Sequence, residues 1–569
     1  MPPVGSNSSA LDSFLTEIIA SVRGKNGGRI TELIQLDFDS LTPDRQKPYA
    51  DLNQELNRNF PPANDGGLVS RCRNALPQDE FGTFSTTFSE SIIQYFRYLR
   101  DFTTADNQSK ASKIRQLTSQ CVTALGDSKY GVIMIPIVLS FSRTLAMVAT
   151  NLDRNPALIR DSNLPATQNT EGAPGKVSFV EDAANVLRDA FIKCLAGSPG
   201  VQRTSRPSAD DKRVGIYLTA NSCLKLLIQC RKLRNAQQMF SSIDAQSPPL
   251  SYYPAAQRVT YLYYLGRYHF ANNHFRRAQA VLEKAYEQCH RQAIKHRRLI
   301  LTYLMAANIC LGRLPSPALL SRPEASEIGA RYVPLCKIIQ SGDLARFQQY
   351  LDLDSDSGQW FLKRSVLLQL QDRCEIIVWR SLIRKTFLLS GYMGEEKKVP
   401  FLRLQNVRHV ASWALKRLKD NGAANSNGLH TTSNGTNYVD PEFAGIDAAI
   451  NETGFDPESG QYLDEYIGQH VPAVDQPEDP PTMAEVESVV LSLIQQGLLR
   501  GFALHTNPRF AIPGSQKAGG PMRAGFPPVW SVIESKQTEA AVPGLVEEAN
   551  LGSEGGRVVR IFGARPAVA

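Results

Sequence analysis

Apolar residues recur every three to four positions over most of the first 480 residues, which is the period of an amphipathic helix. The segment Ala10–Val22 shows this pattern clearly, with its apolar side chains on one helical face. Further helices are predicted at about 83–103, 108–125, 130–152 and 178–196. No strand-like alternation of apolar and polar residues occurs before residue 500. The pattern therefore predicts a mainly α protein.

The segment Tyr261–Pro315 has small residues where two antiparallel helices would approach closely. Gly266 in the first predicted helix, and Ala278 and Ala285 in the second, fall in the register of a tetratricopeptide-like helix pair. One such pair cannot bury its own apolar face, so it needs stacked neighbours. Further helix pairs are predicted before and after this segment. We therefore expect a right-handed superhelical stack of tetratricopeptide-like helix pairs.

The pattern changes after this stack. Residues 399–418 predict one amphipathic helix. Thr482 and Glu485 have the spacing of a capping box, in which side chains satisfy the amide groups at a helix start, and a second apolar stripe follows them. Two short strands are predicted next, at 501–505 and 509–513. This order of helix, helix and hairpin predicts a C-terminal winged helix.

An acidic tract at 420–482 separates the two parts of the predicted winged helix. It contains 12 Asp or Glu residues and no Lys or Arg, so we predict a mostly disordered insertion. Four regions follow from these patterns: an N-terminal helical region with loops at 1–211, a helical-repeat part at 212–395, a winged helix split by the insertion at 396–533, and a disordered tail at 534–569.

Charge is distributed unevenly along the chain. Between Tyr252 and Lys419 there are 27 Lys or Arg residues against 12 Asp or Glu, a net charge of +15, whereas the whole chain carries +8. This segment therefore requires an acidic partner, which could be a nucleic acid, an acidic peptide or the chain's own insertion.

The candidate for a membrane span, Val132–Ala149, is interrupted by Pro136 and Arg143 and barely reaches the required length, so we predict a buried helix and no membrane partner. The nine cysteines form no CxxC pair, and most lie inside apolar helical patterns. They predict reduced core residues, as in a nuclear or cytosolic protein. We expect the nucleus, and the cytoplasm as an additional compartment.

The sequence contains no motif for catalysis: no P-loop, dinucleotide-binding glycine pattern, HExxH, zinc-ligand spacing or nucleophile elbow. His269 and His274 are five residues apart and share no helical face, so we predict no metal pair. We therefore expect neither an enzyme nor a cofactor.

A helical stack that runs into a terminal winged helix resembles the architecture of the PCI-domain family. Segments that resemble one branch of this family, in order and spacing, are YYLGRYHFANNHFRRAQAVLEKAYEQCH, KHRRLILTYL, CKIIQSGDLARFQQYL, WFLKRSVLLQLQDRCEIIVWRSLIRKTFLL and EVESVVLSLIQQGLLRGFALHTNPRFAIP. The resemblance covers about Tyr217–Trp530 without the insertion. That branch contains the signalosome twelfth-subunit protein and the PCI subunit of the TREX-type mRNA-export complex, and the resemblance is equal for both.

This resemblance implies a non-catalytic scaffold subunit whose partners are a larger PCI scaffold protein and a small acidic peptide of the Sem/Dss type. In the export type, adjacent winged helices form a basic platform for RNA or DNA. Carried over to this chain, the partner-binding residues would be Arg276, Arg277, Arg297, Arg298, Trp379, Arg380, Ile383 and Phe387. The nucleic-acid-binding residues would be Lys416, Arg417, Lys419, Arg500, His505, Arg509, Lys517 and Arg523.

The predicted recognition helix, Met483–Gln496, contains two Glu and no Lys or Arg. Direct readout of bases in the major groove needs donors such as Arg, so we predict sequence-independent contact with phosphates instead. The expected role is a scaffold linked to transcription-coupled mRNA export or to a signalosome-like assembly. The alternative is a purely protein–protein scaffold of a signalosome-like or proteasome-lid-like complex, without nucleic-acid binding.

Overall fold

The computed structural model describes residues 9–36, 38, 42–62, 65–102, 107–154, 179–197, 205–229, 233–394, 398–426, 481–536 and 542–546. These residues are mainly helical, which confirms the predicted fold class. The chain forms two compact units, one comprising Met1–Tyr261 with Pro543–Ala569 and the other Leu262–Val542.

The first unit is built from helices that follow one another along the chain. They are α1 Ala10–Arg23, α2 Gly27–Leu33, α3 Pro43–Asn59, α4 Gly66–Ala75, α5 Gln78–Phe81, α6 Thr83–Asp101, α7 Asn107–Leu125, α8 Ile135–Arg154, α9 Phe179–Ala196, α10 Ile216–Gln229, α11 Leu233–Gln246 and the start of α12 Ala255–Ala271. Short 3-10 helices lie at Gly131–Met134, Lys212–Gly215 and Leu250–Tyr252.

Helix α8 contains most of the apolar segment considered as a membrane span. By length and composition Gly131–Leu152 would suit such a span. In the fold, Ile137, Val138 and Phe141 are buried, and α8 packs against α2, α7 and α9. It therefore serves as a core helix of the first unit, as predicted.

A short segment near the C-terminus also belongs to the first unit. Leu545 and Val546 are buried, the Tyr261 hydroxyl donates to the Gly544 carbonyl at 2.6 Å, and the Leu250 amide donates to the Val546 carbonyl at 3.1 Å. The prediction of a disordered tail from residue 534 onwards was wrong for these residues, because composition cannot show that a short apolar run has a groove to fill.

The second unit continues with a series of helices: α13 Phe275–Gln288, α14 Ile294–Cys310, α15 Pro317–Leu320, α16 Ser326–Ser341, α17 Leu344–Tyr350, α18 Asp356–Lys363 and α19 Leu367–Ser390. A Cβ atom on Gly266 would lie 2.5 Å from Cγ of Leu282, so α12 and α13 approach as closely as the small residue predicted. Gly342 ends α16 in the left-handed conformation at φ 71°, which glycine adopts without strain.

The winged helix closes the second unit. Its elements are β1 Phe401–Arg403, α20 Leu404–Ser426, α21 Met483–Gln495, β2 Phe502–Leu504, β3 Arg509–Ala511, α22 Pro521–Gly525 and α23 Val529–Ser535. The predicted capping box is present: the Glu485 amide donates to the Thr482 hydroxyl at 3.3 Å, and the Thr482 amide donates to the Glu485 carboxylate at 3.0 Å. The predicted helix–hairpin order is therefore confirmed.

Two features of the winged helix differ from the prediction. Residues 399–418 were predicted as one helix, whereas Phe401–Arg403 forms a strand and the helix begins at Leu404. The strand pairs with β3, more than 100 residues further along the chain, and local periodicity cannot show such a partner. Helix α20 also continues to Ser426, into the tract predicted as a disordered insertion, and residues 427–480 of that tract lie outside the described residues.

Candidate nucleic-acid interface

The winged helix is fixed to the helical repeats by Arg380 in α19. This side chain is buried, and its guanidinium donates to the Leu498 carbonyl at 3.0 Å and to the Pro527 carbonyl. Burial, with a smaller contribution from Arg384, lowers the pKa of Arg380 to about 10. One residue thus connects α19 to the turn after α21 and to the segment before α23.

Strand register gives the three-stranded sheet two distinct faces. The strands lie in the order β1-β3-β2 and are antiparallel. Leu402 and Phe510 face inward and are fully buried. Because side chains alternate along a strand, the residues on either side of them point the other way. We call this surface the outer sheet face, and it consists of Phe401, Arg403, Phe502, Leu504, Arg509 and Ala511.

The centre of the outer sheet face carries two neighbouring cations. Arg403 and Arg509 are direct cross-strand partners, and like charges in such a pair destabilise a sheet. The Arg509 guanidinium lies 4.6 Å from the ring centre of Phe401, and its Nε donates to the Asn507 side chain at 3.1 Å. The sequences of the three strands contain no Asp or Glu. An anion is therefore the ligand that would relieve this arrangement.

A cleft of about 360 Å³ adjoins this face and is lined by Ser390, Gly391, Tyr392, Phe401, Arg403 and Asn406. Tyr392 extends the sheet by one residue, since its amide donates to the Phe401 carbonyl at 2.9 Å and its carbonyl accepts from the Phe401 amide at 3.1 Å. The two rings lie 5.3 Å apart. The cleft thus combines aromatic rings, a guanidinium and an amide.

The predicted nucleic-acid residues fall into separate groups. Lys416 is exposed on α20, roughly 18 Å along the helix from its start at Leu404. Arg500 is exposed just before β2, and its amide donates to the Gly525 carbonyl at 2.9 Å, which brings it close to the exposed Arg523 of α22. Lys517 is exposed in the turn between β3 and α22. The side chains of Arg417 and Lys419 lie outside the described residues.

His505 lies at the tip of the hairpin, with 92% of its side chain exposed. Its Nδ1 is 2.7 Å from a carboxylate oxygen of Glu487 in the recognition helix α21. The other carboxylate of that helix, Glu485, belongs to the capping box. Both acidic side chains of α21 therefore contact this chain's own groups, and ionised carboxylates supply none of the donors that base readout needs.

Arg403 and the aromatic residues Phe401 and Phe502 were missed by sequence reasoning. The signal that could have identified them is the short run Pro400–Arg403, since proline disfavours a helix at the residue before it and is common at the start of a strand. Once that run is treated as a strand, alternation places Phe401 and Arg403 on one face.

Several predicted partner-binding residues face the interior instead. Trp379, Ile383 and Phe387 are buried in the second unit, and Arg380 holds the winged helix as described. Arg297 is buried as well, where it pairs with Glu324 at 2.9 Å and donates to the carbonyls of Tyr286 and Cys289. The prediction was wrong for these five residues, because none of them is accessible to a partner in this fold.

The other three predicted partner residues, Arg276, Arg277 and Arg298, are half-buried. Arg298 pairs with Glu327 at 2.6 Å. The Arg276 guanidinium lies 4.9 Å from the Trp530 ring centre and 3.7 Å from a Glu534 carboxylate oxygen. Arg276 therefore binds the chain's own C-terminal helix α23.

Among the described residues, no group of three His, Cys, Asp or Glu side chains could hold a metal ion.

Several known proteins that are similar to this chain are named for the PCI domain. No family model matches the sequence. The chain is 28% identical over 397 residues to a PCI domain-containing protein of Schizosaccharomyces pombe, covering 69% of this chain and 81% of that protein. It is 28% identical over 345 residues to the Protein CSN12 homolog of Neurospora crassa, covering 57% of this chain and 71% of the relative.

A third relative is PCI domain-containing protein 2 of Xenopus laevis, 27% identical over 256 residues that cover 45% of this chain and 57% of the relative. These similarities agree with the helical repeats and the winged helix seen in the second unit. These relatives support the PCI-domain family for this chain, in the branch of the CSN12 homologs and PCI domain-containing protein 2.

Proposed function

We propose that this protein is a non-catalytic scaffold subunit of a multiprotein complex and that it binds nucleic acid, without sequence preference, through the basic surface of its winged helix. The complex would act in transcription-coupled mRNA export or resemble a signalosome. Relatives named CSN12 homolog support membership in such an assembly. The proposed partners are a larger PCI scaffold protein and a small acidic Sem/Dss-type peptide, and the proposed compartment is the nucleus.

The observation that carries the nucleic-acid part is that two stretches of the winged helix contain cations and no acidic residue. Seven Lys or Arg and no Asp or Glu occur from Lys397 to Lys419, and four Lys or Arg and no Asp or Glu occur from Leu499 to Ile533. Arg403 and Arg509 from these two segments meet side by side on the sheet. Neutralising phosphates with such cations releases counterions from the nucleic acid and favours binding.

The absence of sequence preference follows from the recognition helix. The sequence of α21 offers no Lys or Arg to a major groove, and its exposed apolar side chain, Leu491, offers no hydrogen-bond donor. Contacts from the sheet and from helix ends instead reach phosphates, which are alike in every sequence.

Salt-dependent binding tests this proposal. Binding of a fluorescent single-stranded RNA to the full chain is measured between 50 and 200 mM salt. Changing Lys416, Arg500 and Arg509 together to Glu removes three phosphate contacts, so the slope of log affinity against log salt should fall by about 2. The matched control changes three exposed cations elsewhere, Arg291, Lys337 and Lys363, to Glu, with the same change in net charge. Equal losses in both variants, or binding without salt dependence, would contradict the proposal.

The second candidate is a scaffold that binds proteins alone. The exposed apolar side chains of Phe502 and Leu504 on the edge strand β2 favour it, because an edge strand with exposed apolar groups is suited to pairing with another chain. A chain that joins its complex but shows no salt-dependent affinity for nucleic acid would support this candidate.

A further inference from the structure

Two phenylalanine rings flank a small residue on the outer sheet face. Phe401 in β1 and Phe502 in β2 are both cross-strand partners of Ala511, which lies between them in β3. Two strand spacings separate the flanking residues by roughly 10 Å. Phe502 is 46% exposed, and Phe401 is half-buried beneath the Arg509 guanidinium. The face therefore presents one open ring and one ring covered by a cation, side by side.

The core of the sheet is filled without the Phe502 ring. The inner face of the sheet is filled by Leu402 and Phe510, both fully buried, and Phe510 packs against Phe526 with ring centres 6.1 Å apart. An exposed phenylalanine on an edge strand exposes the protein to unwanted strand pairing, which natural proteins normally prevent with charges or proline. A ligand that covers the Phe502 ring would explain why an exposed phenylalanine occupies this position.

The neighbouring groups indicate the chemistry of that ligand. Unpaired bases stack on aromatic rings and on guanidinium planes, while cations beside the rings follow the phosphates. Phe502 offers the first kind of surface, the Phe401–Arg509 pair offers the second, and Arg403 is the cross-strand neighbour of Arg509. The adjoining cleft adds the Asn406 amide and the Tyr392 ring.

We infer that the outer sheet face is a stacking platform for unpaired bases of single-stranded nucleic acid. This inference rests on the proposed function and adds to it the form of the ligand and the residues that touch its bases. Paired cations on strands without any acidic residue match a polyanion better than a protein segment. A duplex keeps its bases stacked inside and can offer this face only phosphates, so the platform should prefer single strands.

The test compares Phe502 variants of the full chain in fluorescence anisotropy, with oligo(U), oligo(dT) and a duplex of equal length as probes. Phe502→Leu keeps an apolar side chain but removes the ring, whereas Phe502→Trp keeps a ring. We expect Phe502→Leu to bind both single strands about tenfold more weakly, equivalent to ~1.4 kcal/mol and within the range for one stacked base. Phe502→Trp should bind them as the parent does, and duplex binding should change in neither variant. Leu491→Ala, at an exposed apolar residue of α21, is the control that should bind as the parent.

Each other outcome has a defined meaning. If Phe502→Leu binds single strands as tightly as the parent while Arg403→Glu with Arg509→Glu weakens them, the stacking platform is refuted and the proposed function stands. If the parent chain binds none of the three probes, both fail. If Phe502→Leu loses a protein partner and keeps its affinity for RNA and DNA, the face is a protein interface and the inference is refuted. A loss with only one of the two single strands would restrict the platform to RNA or to DNA.

Discussion

Replacing Trp530 by Ala should destabilise the second unit by loosening its C-terminal helix. Two guanidinium groups lie over the Trp530 ring, with Arg313 at 3.9 Å and Arg276 at 4.9 Å from the ring centre. The preceding residue, Val529, packs tightly on Gly312. A Cβ atom added to Gly312 would lie 2.5 Å from a methyl carbon of Val529. Helix α23 therefore packs against the helical repeats at this corner.

The size of the effect follows from these contacts. Each cation–π contact at a half-exposed site contributes roughly 0.5–1 kcal/mol. Truncating a fully buried Trp costs about 3–5 kcal/mol, and the half-buried position of Trp530 reduces this to about 2 kcal/mol. With both cation–π contacts at the lower end of their range, the sum is about 3 kcal/mol. For a unit of this size it corresponds to a fall of roughly 6–12 °C in the melting temperature of that unit.

Thermal unfolding followed by circular dichroism, with limited proteolysis to identify which unit opens first, measures this change. Trp530→Phe keeps a ring beneath the cations and should lose less than half as much stability as Trp530→Ala. A double-mutant cycle of Trp530→Phe with Arg313→Gln isolates the cation–π part. Equal melting temperatures for Trp530→Ala and the parent would refute the assignment of this corner as a stabilising contact of α23.

Two further predictions concern the acidic tract and a histidine. Deleting residues 427–480 removes 11 acidic residues and should tighten single-stranded RNA binding at low salt if the tract competes with phosphate for the basic surface, whereas unchanged affinity would argue against competition. Burial, and to a lesser extent Lys295, lowers the pKa of His296 below its ordinary value of 6.5. The unfolded chain therefore takes up a proton more readily than the folded one, and stability falls as the pH drops below 6.5. Denaturant unfolding at pH 7 and pH 5 should show a smaller loss for His296→Gln than for the parent, while the exposed control His290→Gln should match the parent.

Elements fixed by local interactions could be predicted from the sequence. The capping box at Thr482 is one example, since both of its hydrogen bonds join residues three positions apart. The close approach at Gly266 is another example, because a glycine in this register of a helix pair indicates that the second helix packs closely against it. The mainly α fold and the winged helix followed from such features.

Features that depend on a distant partner could not be predicted in the same way. Arg297 and Arg380 lie on helices where an arginine normally faces water, and their burial depends on Glu324 and on carbonyl groups of other elements. Strand β1 depends on β3 in the same manner. The spacing of residues along one element gives no information about what covers it, so five of the eight predicted partner-binding residues are buried in this fold.

The outer sheet face combines local features that disfavour folding or solubility, unlike the other parts of the winged helix. In the winged helix, the start of α21 is capped and the inner face of the sheet is apolar. Both carboxylates of the recognition helix α21, Glu485 and Glu487, contact groups of this chain. Against this background, a like-charged cross-strand pair and an exposed phenylalanine on an edge strand occur together on one small surface. Each feature alone lowers the stability or solubility of an isolated chain. Proteins retain such local conflicts chiefly at functional sites, and the proposed ligand, a single-stranded polyanion with stacking bases, would resolve both conflicts in this one.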